Sequence, residues 1–380
     1  MRKDWEIKRL GEICEIFNGL WKGKKPPFTE VGVIRNTNFT KEGYLDDSDI
    51  AYLPVEIKQY EKRKLEYGDI ILEKSGGGPK QPVGRVVLFE KKGGEFSFSN
   101  FTSTIRIIDN DLLDYNFLHR YLYFQYISGN TEPMQRQSTG IRNLQLNEYK
   151  EILVPIPPIS EQQRIVSILD NAFAAIAKAK ANAAQNLKNA KELFESYLQG
   201  VFDKKGEGWE ERRFDEICVL QRGFDLPTRL RNDGGFPLVS SSGKTDMIDL
   251  WKVKAPGVVT GRSGSIGNVH FIEEDFWPLN TALYIKEFHG NYEKCIYYFL
   301  KQFNLNKYSS GAGVPTLNRN NVHCEMVWFP TSRIEQQTMA QILDVLYDET
   351  KKLETIYQQK IEDLEELRKK LLQKAFNGEL

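Results

Sequence analysis

Hydrophobic and polar positions follow two kinds of pattern along the chain, and each kind occurs twice. Residues 1–158 and 206–331 carry short β-branched and aromatic runs broken by glycines, for example GDIILEKSGGG at 68–78 and VVTGRSGSIGNVHF at 258–271. Such runs are typical of strands joined by tight turns. Helical spacing of apolar residues near the end of each region predicts one helix, at 114–127 in the first region and 291–303 in the second. Both regions are therefore predicted to be mixed α/β domains.

A long polar segment with a narrow apolar stripe follows each region. Residues 159–205 and 332–380 contain no proline, and no glycine before Gly200 and Gly378. Ser160 with Gln163, and Ser332 with Glu335, have the spacing of a capping box. The apolar positions alternate in steps of three and four, interrupted by Lys180 in the first series and by Thr350 and Lys360 in the second, which predicts coiled-coil helices. They are Ile176, Ala183, Leu187, Ala190, Phe194, Tyr197 and Val201 in the first helix, and Leu346, Leu353, Tyr357, Leu364, Leu367 and Leu371 in the second.

The two halves of the chain also share short sequence motifs. WEIKRLGEICEIFNG at 5–19 corresponds to WEERRFDEICVLQRG at 209–223, and EQQRIVSILD at 161–170 corresponds to EQQTMAQILD at 335–344. The duplication predicts an α+β fold in which two mixed α/β domains in a pseudo-twofold arrangement are separated by two long antiparallel coiled-coil helices. The alternative is that each helix packs on its own domain or on another subunit. A pseudo-twofold molecule suits a partner that it binds at two places, and duplex DNA is such a partner.

Charge and cysteine content narrow the class of protein. The formal net charge is zero, which argues mildly against nucleic-acid binding, so any DNA-facing positive surface must come from placement or from a partner subunit. No apolar run approaches the roughly 18 residues of a membrane span, and the N-terminus has no apolar signal core, which predicts a cytoplasmic protein. No CxxC pair is present, and Cys14 and Cys218 are predicted to be buried thiols.

Motifs that would indicate catalysis fail on inspection. The glycine-rich segment 261–267 lacks the lysine of a phosphate-binding loop. The segment 25–28 has lysine where an amino-methyltransferase loop needs Asn or Asp, and is predicted to be a surface turn. The four histidines are isolated, which argues against a metal site. Asp69 is expected in the turn before a strand. The sequence therefore predicts no enzyme in this chain.

The ordered, duplicated motifs resemble those of the DNA specificity subunit of type I restriction-modification systems. The resemblance covers essentially the whole chain. It rests on PIPPISEQQRIVSILD at 155–170, on FPTSRIEQQTMAQILD at 329–344, on the openings at Trp5 and Trp209, and on GRSGSIGNV at 261–269. It implies a first target recognition domain at 1–158, a central spacer helix at 159–205, a second target recognition domain at 206–331 and a C-terminal spacer helix at 332–380.

The same resemblance implies the partners and cofactors. Each domain would read one half of a bipartite double-stranded DNA sequence, and the helices would fix the distance between the halves. The helices would also dock two modification subunits, which bind S-adenosylmethionine and methylate adenine, and restriction subunits would add cleavage with ATP and Mg²⁺. This chain would hold no cofactor, no metal and no catalytic residue.

Candidate DNA-binding residues are those in glycine-rich loops with side chains that suit bases or phosphates. In the first domain they are Lys22, Lys24, Lys25, Lys74, Ser75, Lys80, Gln81, Arg85, Arg136, Arg142 and Asn143. In the second domain they are Lys244, Arg262, Ser263, Asn268, Asn318, Arg319 and Asn320. Lys74-Ser75-Gly76 and Arg262-Ser263-Gly264 align at an offset of 188, which predicts that both domains offer the same loop to DNA.

Two other functions stay open at this point. A coiled-coil scaffold with two protein-binding domains would agree with the neutral net charge. A methyltransferase in its own right would need cofactor and catalytic loops that the sequence lacks.

Overall fold

The computed structural model describes residues 5–21, 23–78, 81–138, 140–311 and 315–380. It divides into two compact units, one formed by the chain up to Asn182 together with Lys360–Leu380, and the other by Ala183–Gln359. Each unit contains one of the predicted mixed domains and part of each long helix. The helices therefore do not form compact units of their own, because their buried faces pack on the domain beside them.

The first domain is built from short strands and four helices. Its strands are β1 (Glu6–Arg9), β2 (Cys14–Asn18), β3 (Phe28–Ile34), β4 (Ala51–Glu56), β5 (Ile70–Glu73), β6 (Ser75–Gly77), β7 (Val86–Leu88), β8 (Phe96–Phe98), β9 (Thr102–Ile107), β10 (Gln135–Ser138), β11 (Ile141–Leu144) and β12 (Leu153–Ile156). Its helices are α1 (Leu10–Ile13), α2 (Ile57–Glu61), α3 (Tyr115–Ile127) and α4 (Leu146–Lys150). The helix predicted at 114–127 is confirmed as α3, and the long helix α5 (Ile159–Asp203) follows.

The second domain repeats most of these parts in the same order, without counterparts of α2 and β6 among its described residues. Its strands are β13 (Trp209–Arg213), β14 (Val219–Arg222), β15 (Asp233–Ser240), β16 (Gly243–Ile248), β17 (Gly257–Gly261), β18 (Val269–Ile272), β19 (Trp277–Pro278), β20 (Ala282–Glu287), β21 (Ser309–Ser310), β22 (Thr316–Leu317) and β23 (Met326–Pro330). Its helices are α6 (Phe214–Ile217), α7 (Glu293–Gln302) and α8 (Arg319–His323). The helix predicted at 291–303 is confirmed as α7, and the long helix α9 (Arg333–Asn377) follows.

The sheets of the two domains correspond one to one. The four-stranded sheet β2-β9-β5-β7 has the counterpart β14-β20-β17-β18, and both are antiparallel. The sheet β4-β3-β8 has the counterpart β16-β15-β19, and in each the last pairing is parallel. The pair β1-β12 matches β13-β23. The duplication in the sequence is therefore a duplication of topology.

The matched residues of the two openings lie in the domain cores. Cys14 and Cys218 are free, buried thiols, as predicted, and burial raises the pKa of Cys14 to about 12. A Cβ atom on Gly19 would overlap the carbonyl oxygen of Ser99, and one on Gly223 would overlap that of Leu279. Only glycine fits at these two positions.

The two long helices pack on each other within each unit. In the first unit Arg164 donates to the carbonyl oxygen of Leu380 (2.7 Å) and Lys180 pairs with Glu365 (2.6 Å), so residue numbers rise along α5 as they fall along α9. In the second unit the ring of Phe194 contacts that of Tyr347, with centroids 5.2 Å apart. The antiparallel pairing predicted from the sequence is confirmed in both units.

The predicted apolar seam is only partly correct. Ile176, Ala183, Ala190 and Phe194 are buried, but Tyr197, Leu353 and Leu367 are 42%, 38% and 45% exposed. Leu198, Phe202 and Leu372 are buried instead. A regular helix has 3.6 residues per turn, so its buried stripe drifts away from a strict heptad. Part of the buried stripe also contacts the neighbouring domain rather than the other long helix: Phe376 of α9 packs on Phe117, Tyr121 and Phe124 of α3.

The helix starts differ from the predicted capping boxes. Ser332 does cap α9, since its hydroxyl accepts from the backbone N–H of Glu335 (3.4 Å), but the Glu335 carboxylate accepts from the indole of Trp209. Ser160 lies inside α5, so the first capping box is wrong. There the carbonyl oxygen of Pro158 accepts the N–H groups of Glu161 and Gln162.

Candidate nucleic-acid interface

Two segments that the sequence predicts as DNA-facing loops meet in one small sheet of the first domain. The order of its strands is β10-β11-β6, so residues 135–144 pair with the segment after β5. Asn143 lies opposite Ser75, and the Ser75 hydroxyl donates to its side-chain oxygen at 2.6 Å. Arg142 lies opposite Gly77, and Arg136 is exposed opposite Asn143. The structure thus brings together the two loops that the sequence placed far apart.

The second domain holds its corresponding loops in the same way. Strands β21 and β22 pair, and Ser263 forms a bridge with Thr316, as Ser75 does with Asn143. The candidates Arg262 and Ser263 therefore lie next to the segment 316–320 that contains Asn318, Arg319 and Asn320.

Lys74 and Arg262 occupy equivalent backbone positions. The N–H groups of Lys74 and Ser75 both donate to the carbonyl oxygen of Phe101, and those of Arg262 and Ser263 both donate to that of Thr281. The carbonyl oxygen of Lys74 accepts from Leu144, and that of Arg262 accepts from Leu317, each at 2.8 Å. The alignment of these loops at an offset of 188 is therefore confirmed by hydrogen bonding.

Each domain has a cleft at this place. The first, of about 380 Å³, is lined by Lys74, Ser75, Asn143, Leu144, Gln145, Leu146 and Asn147. The second, of about 360 Å³, is lined by Arg222, Arg262, Leu283, Ser310, Thr316, Leu317, Asn318, Arg319 and Asn320. Neither lining includes an Asp or Glu residue. The clefts present amides, hydroxyls and cations, the groups that contact bases and phosphates.

Local contacts orient the basic side chains of the clefts. The Lys74 ammonium donates to the side-chain oxygen of Asn18 (2.8 Å), and partial burial lowers the pKa of Lys74. Arg262 donates to the carbonyl oxygen of Asn280, and Arg319 donates to the side-chain oxygen of Gln221 (2.8 Å). These contacts hold the cations over the clefts.

Arg85 is a correction to the candidate set. Its guanidinium forms a two-pronged pair with Glu73 (2.7 and 2.8 Å), and it also donates to the carbonyl oxygens of Asn36 and Phe39. The Arg85 side chain is 13% exposed and that of Glu73 is 2% exposed. A charge held in an internal pair of this kind is a structural group. The Arg85 guanidinium is therefore held by partners inside the domain, unlike the basic side chains that line the clefts.

The other candidates lie on the surface outside the clefts. Lys24, Lys25, Gln81 and Asn268 are exposed. Lys244 is exposed and pairs with Glu274 at 2.8 Å, a surface ion pair that can open at little cost. Lys22 and Lys80 lie outside the described residues. None of the described residues among these candidates lines either cleft.

Several cleft residues were not predicted from the sequence, among them Gln145, Arg222 and Asn147. Arg222 lies at the end of β14, directly before Gly223, and Asn147 lies in α4. The signal for Arg222 was present, because the repeat aligns Arg222-Gly223 with Asn18-Gly19, and Asn18 contacts Lys74. Asn147 carried no comparable signal.

The described residues offer neither a metal site nor a membrane-spanning helix. They contain no group of three His, Cys, Asp or Glu side chains placed to hold a metal ion. Asp69 lies immediately before β5, as predicted, and binds Arg106 at 2.7 Å. No described helix combines the length and apolar character needed to cross a membrane.

Comparison with known families decides the classification of the chain. The pattern of the family described as the type I restriction modification DNA specificity domain matches residues 2–186 and 206–363. The chain belongs to this family. The two matches cover the two mixed domains and most of both long helices, so the specificity-domain pattern occurs twice, as the duplicated motifs indicated.

Relatives and solved structures of the specificity-domain family are similar to this chain. The type I restriction enzyme EcoKI specificity subunit of Escherichia coli K12 is 26% identical over 60% of this chain and 49% of its own length. The MjaVIII specificity subunit of Methanocaldococcus jannaschii is 25% identical over 58% of this chain and 51% of its own length. The chain spans 32% and 61% of the length of two further curated relatives.

The structural likeness extends over the whole chain. A chain from a structure of the type I R-M system, concerned with complex assembly and conformational transition, has a TM-score of 0.83 at 18% identity and covers 100% of this chain and 99% of its own. The HsdS subunit from Thermoanaerobacter tengcongensis has a TM-score of 0.66 at 17% identity, covering 100% of this chain and 98% of its own. The fold class predicted from the sequence, mixed α/β domains with long helices, is confirmed.

Proposed function

We propose that this chain is the DNA specificity subunit of a type I restriction-modification complex, and that each domain reads one half of a bipartite duplex sequence. The observation that carries the proposal is the pair of equivalent clefts, one in each domain. Each is lined by side chains that suit base edges and is held by the same backbone hydrogen bonds. The names of the relatives, all specificity subunits, support the same function.

The neutral net charge is compatible with DNA binding because carboxylates are kept out of the clefts. Glu73, directly before the first cleft, is buried in its pair with Arg85, and Asp69 is buried in its pair with Arg106. At the position equivalent to Glu73 the second domain has Gly261. The clefts can therefore attract a polyanion because of where the basic and acidic residues lie, although the chain has no excess of basic residues.

The long helices would serve as a spacer between the half-sites. Each runs for 45 residues without a break, a length of roughly 67 Å at 1.5 Å per residue. Half-sites read from one face of the duplex are about 34 Å apart, or a multiple of this distance. A continuous helix of this length has the reach that such a spacing requires.

Exposed apolar side chains on the helices would dock the modification subunits. In the second unit Ile342, Val345 and Tyr197 line an apolar depression of about 470 Å³. Leu193 and Leu367, which correspond at the offset of 174 between the EQQ motifs, are 52% and 45% exposed. Equivalent apolar surfaces in the two units suit two copies of one partner.

In this assembly the chain itself performs no catalytic step. The modification subunits would bind S-adenosylmethionine and methylate adenine, and restriction subunits would use ATP and Mg²⁺ for cleavage. The complex would act in the cytoplasm.

The test is a gel-shift measurement on the chain combined with a type I methyltransferase partner. The specificity function predicts retention of a subset of duplexes that share two short half-sites. A coiled-coil scaffold with protein-binding domains, the second candidate, is favoured only by the neutral charge and predicts no sequence-dependent retention.

A further inference from the structure

The two clefts share a backbone but differ in chemistry. Three hydrogen-bonding side chains of the first cleft are amides, contributed by Asn143, Gln145 and Asn147. Among the described residues that line it, Lys74 is the one cation. In the second cleft the position of Lys74 is taken by Arg262 and that of Leu146 by Arg319, and Arg222 adds a third guanidinium. One cleft is therefore rich in amides and the other in arginines.

The cations of both clefts that form hydrogen bonds do so with uncharged partners. The Lys74 ammonium is partly buried and donates to the side-chain oxygen of Asn18. Among the described residues, no carboxylate forms an ion pair with Arg222, Arg262 or Arg319. The positive charge of these three guanidiniums is therefore not balanced by an ion pair with a described carboxylate.

Arg262 and Arg319 are positioned more firmly than a phosphate contact requires. Each is half-buried and is fixed through one terminal nitrogen, Arg262 on the carbonyl oxygen of Asn280 and Arg319 on Gln221 and the carbonyl oxygen of Leu220. A guanidinium held at one corner still presents a forked edge. Arg222 is exposed, as suits contact with the DNA backbone.

Base chemistry distinguishes these two kinds of lining. A guanidinium fork matches O6 and N7 of guanine, whereas the amide of Asn or Gln matches N6 and N7 of adenine. We propose that the second domain reads a guanine through Arg262 and Arg319, and that the first domain reads an adenine through its amides. The inference rests on the proposed function, since it requires that the clefts face DNA.

The experiment uses the complete complex with its methyltransferase partner. The methylated motif is mapped first, and the half-site altered by Arg262→Ala is taken as that of the second domain. Each guanine of this half-site is then replaced singly by 7-deazaguanine, which lacks the N7 acceptor and keeps its base pairing. At one position the retention of the duplex should fall about fivefold or more.

Two variants replace each arginine by the residue at the equivalent position of the first domain. Arg262→Lys keeps the charge and removes the fork, and Arg319→Leu introduces the residue found at 146. In both, the penalty for 7-deazaguanine and for a changed base pair at that position should disappear. The requirement for the other half-site should be unchanged, and an unchanged melting temperature would establish that the variants fold.

The possible outcomes separate this inference from the proposed function. If 7-deazaguanine has no effect at any position, the guanine contact is wrong. If Arg319→Leu weakens retention equally for all duplexes and reduces its salt dependence, and Arg262→Lys leaves retention unchanged, the arginines contact phosphates and the inference is overturned, while the specificity function stands. If the unaltered complex shows no preference among duplexes, the proposed function itself fails.

Discussion

Gln162 and Gln336 make the same set of contacts in their own units. Both are fully buried at the start of a long helix, and both belong to the EQQ motif. The side-chain oxygen of Gln162 accepts from the backbone N–H of Asp114, which caps α3, and its nitrogen donates to the carbonyl oxygens of Leu112 and Pro157. One amide therefore joins the domain helix, the exit from β12 and the long helix.

Gln336 forms the matching joint. Its oxygen accepts from the N–H of Tyr292 at the start of α7, and its nitrogen donates to the carbonyl oxygen of Pro330 and to Asn291. Eight residues further along the long helices, Asp170 binds Arg120 of α3 and Asp344 binds Tyr298 of α7. The repeated motif thus fixes each domain on its helix, which a spacer between two reading domains requires.

Removing the side-chain hydrogen bonds of Gln162 should destabilise the first unit. Gln162→Ala leaves the buried carbonyl oxygen of Pro157, the partly buried carbonyl oxygen of Leu112 and the N–H group of Asp114 without their partner. Each unsatisfied buried group costs about 1–3 kcal/mol. We expect the melting temperature of the first unit to fall by at least roughly 4 °C. The control is Gln163→Ala, whose side chain is exposed. Equal melting temperatures for the two variants would contradict the role of the joint.

The glycine that closes each opening motif should also resist substitution. Gly19→Ala forces a Cβ atom into the carbonyl group of Ser99, and overpacking of this kind costs about 1–3 kcal/mol. Gly93→Ala in the same domain is the matched control, because a Cβ there would have no neighbour within 4 Å. Denaturant titration should show a loss of unfolding free energy for the first variant alone.

Stability should depend on pH through His119. This residue is fully buried in α3, and burial, with help from the charges of Arg120 and Arg368, lowers its pKa to about 3. The unfolded chain takes up a proton near pH 6.5 and the folded chain does not, so stability is complete above pH 6.5 and falls as the pH drops toward 3.

Between pH 6 and 5, protonation of this histidine in the unfolded chain should lower the free energy of unfolding by about 1.4 kcal/mol per pH unit. The free energy of unfolding, measured by urea titration at several pH values in this range, should depend less on pH for His119→Leu than for the unaltered chain. His289→Asn, at an exposed histidine, should leave the slope as it is. A slope that His119→Leu does not change would exclude this histidine as the cause.

The sequence predicted those features that repeat or that depend on neighbouring residues. The matched openings predicted that Cys14 and Cys218 are buried, and helical spacing predicted α3 and α7. It failed where a partner is distant along the chain or contributed by another element. Arg85 looked like a loop cation because its pairing with Glu73, across the hairpin, is not visible in the sequence. Leu353 and Leu367 looked buried because a heptad pattern ignores the turn of the helix toward its domain.

The spacer role of the helices predicts a change in the DNA spacing. Insertion of one heptad into α5 and one into α9 lengthens both helices by about 10 Å, or about three base pairs at 3.4 Å each. The mapped motif should keep both half-sites and gain unspecified bases between them. A heptad in α5 alone disrupts the pairing of the helices and should abolish methylation. Retention of the original spacer in the doubly extended variant would contradict the spacer role.

The most direct measurement is a genome-wide map of methylated adenines in cells that express the complex with the unaltered chain, with Asn143→Ala or with Arg262→Ala, one residue from each cleft. The account predicts a bipartite motif for the unaltered chain. Each variant should relax or lose one half-site, a different half in each case, and keep the other. If both variants methylate the same complete motif as the unaltered chain, these domains do not read DNA through the clefts described here.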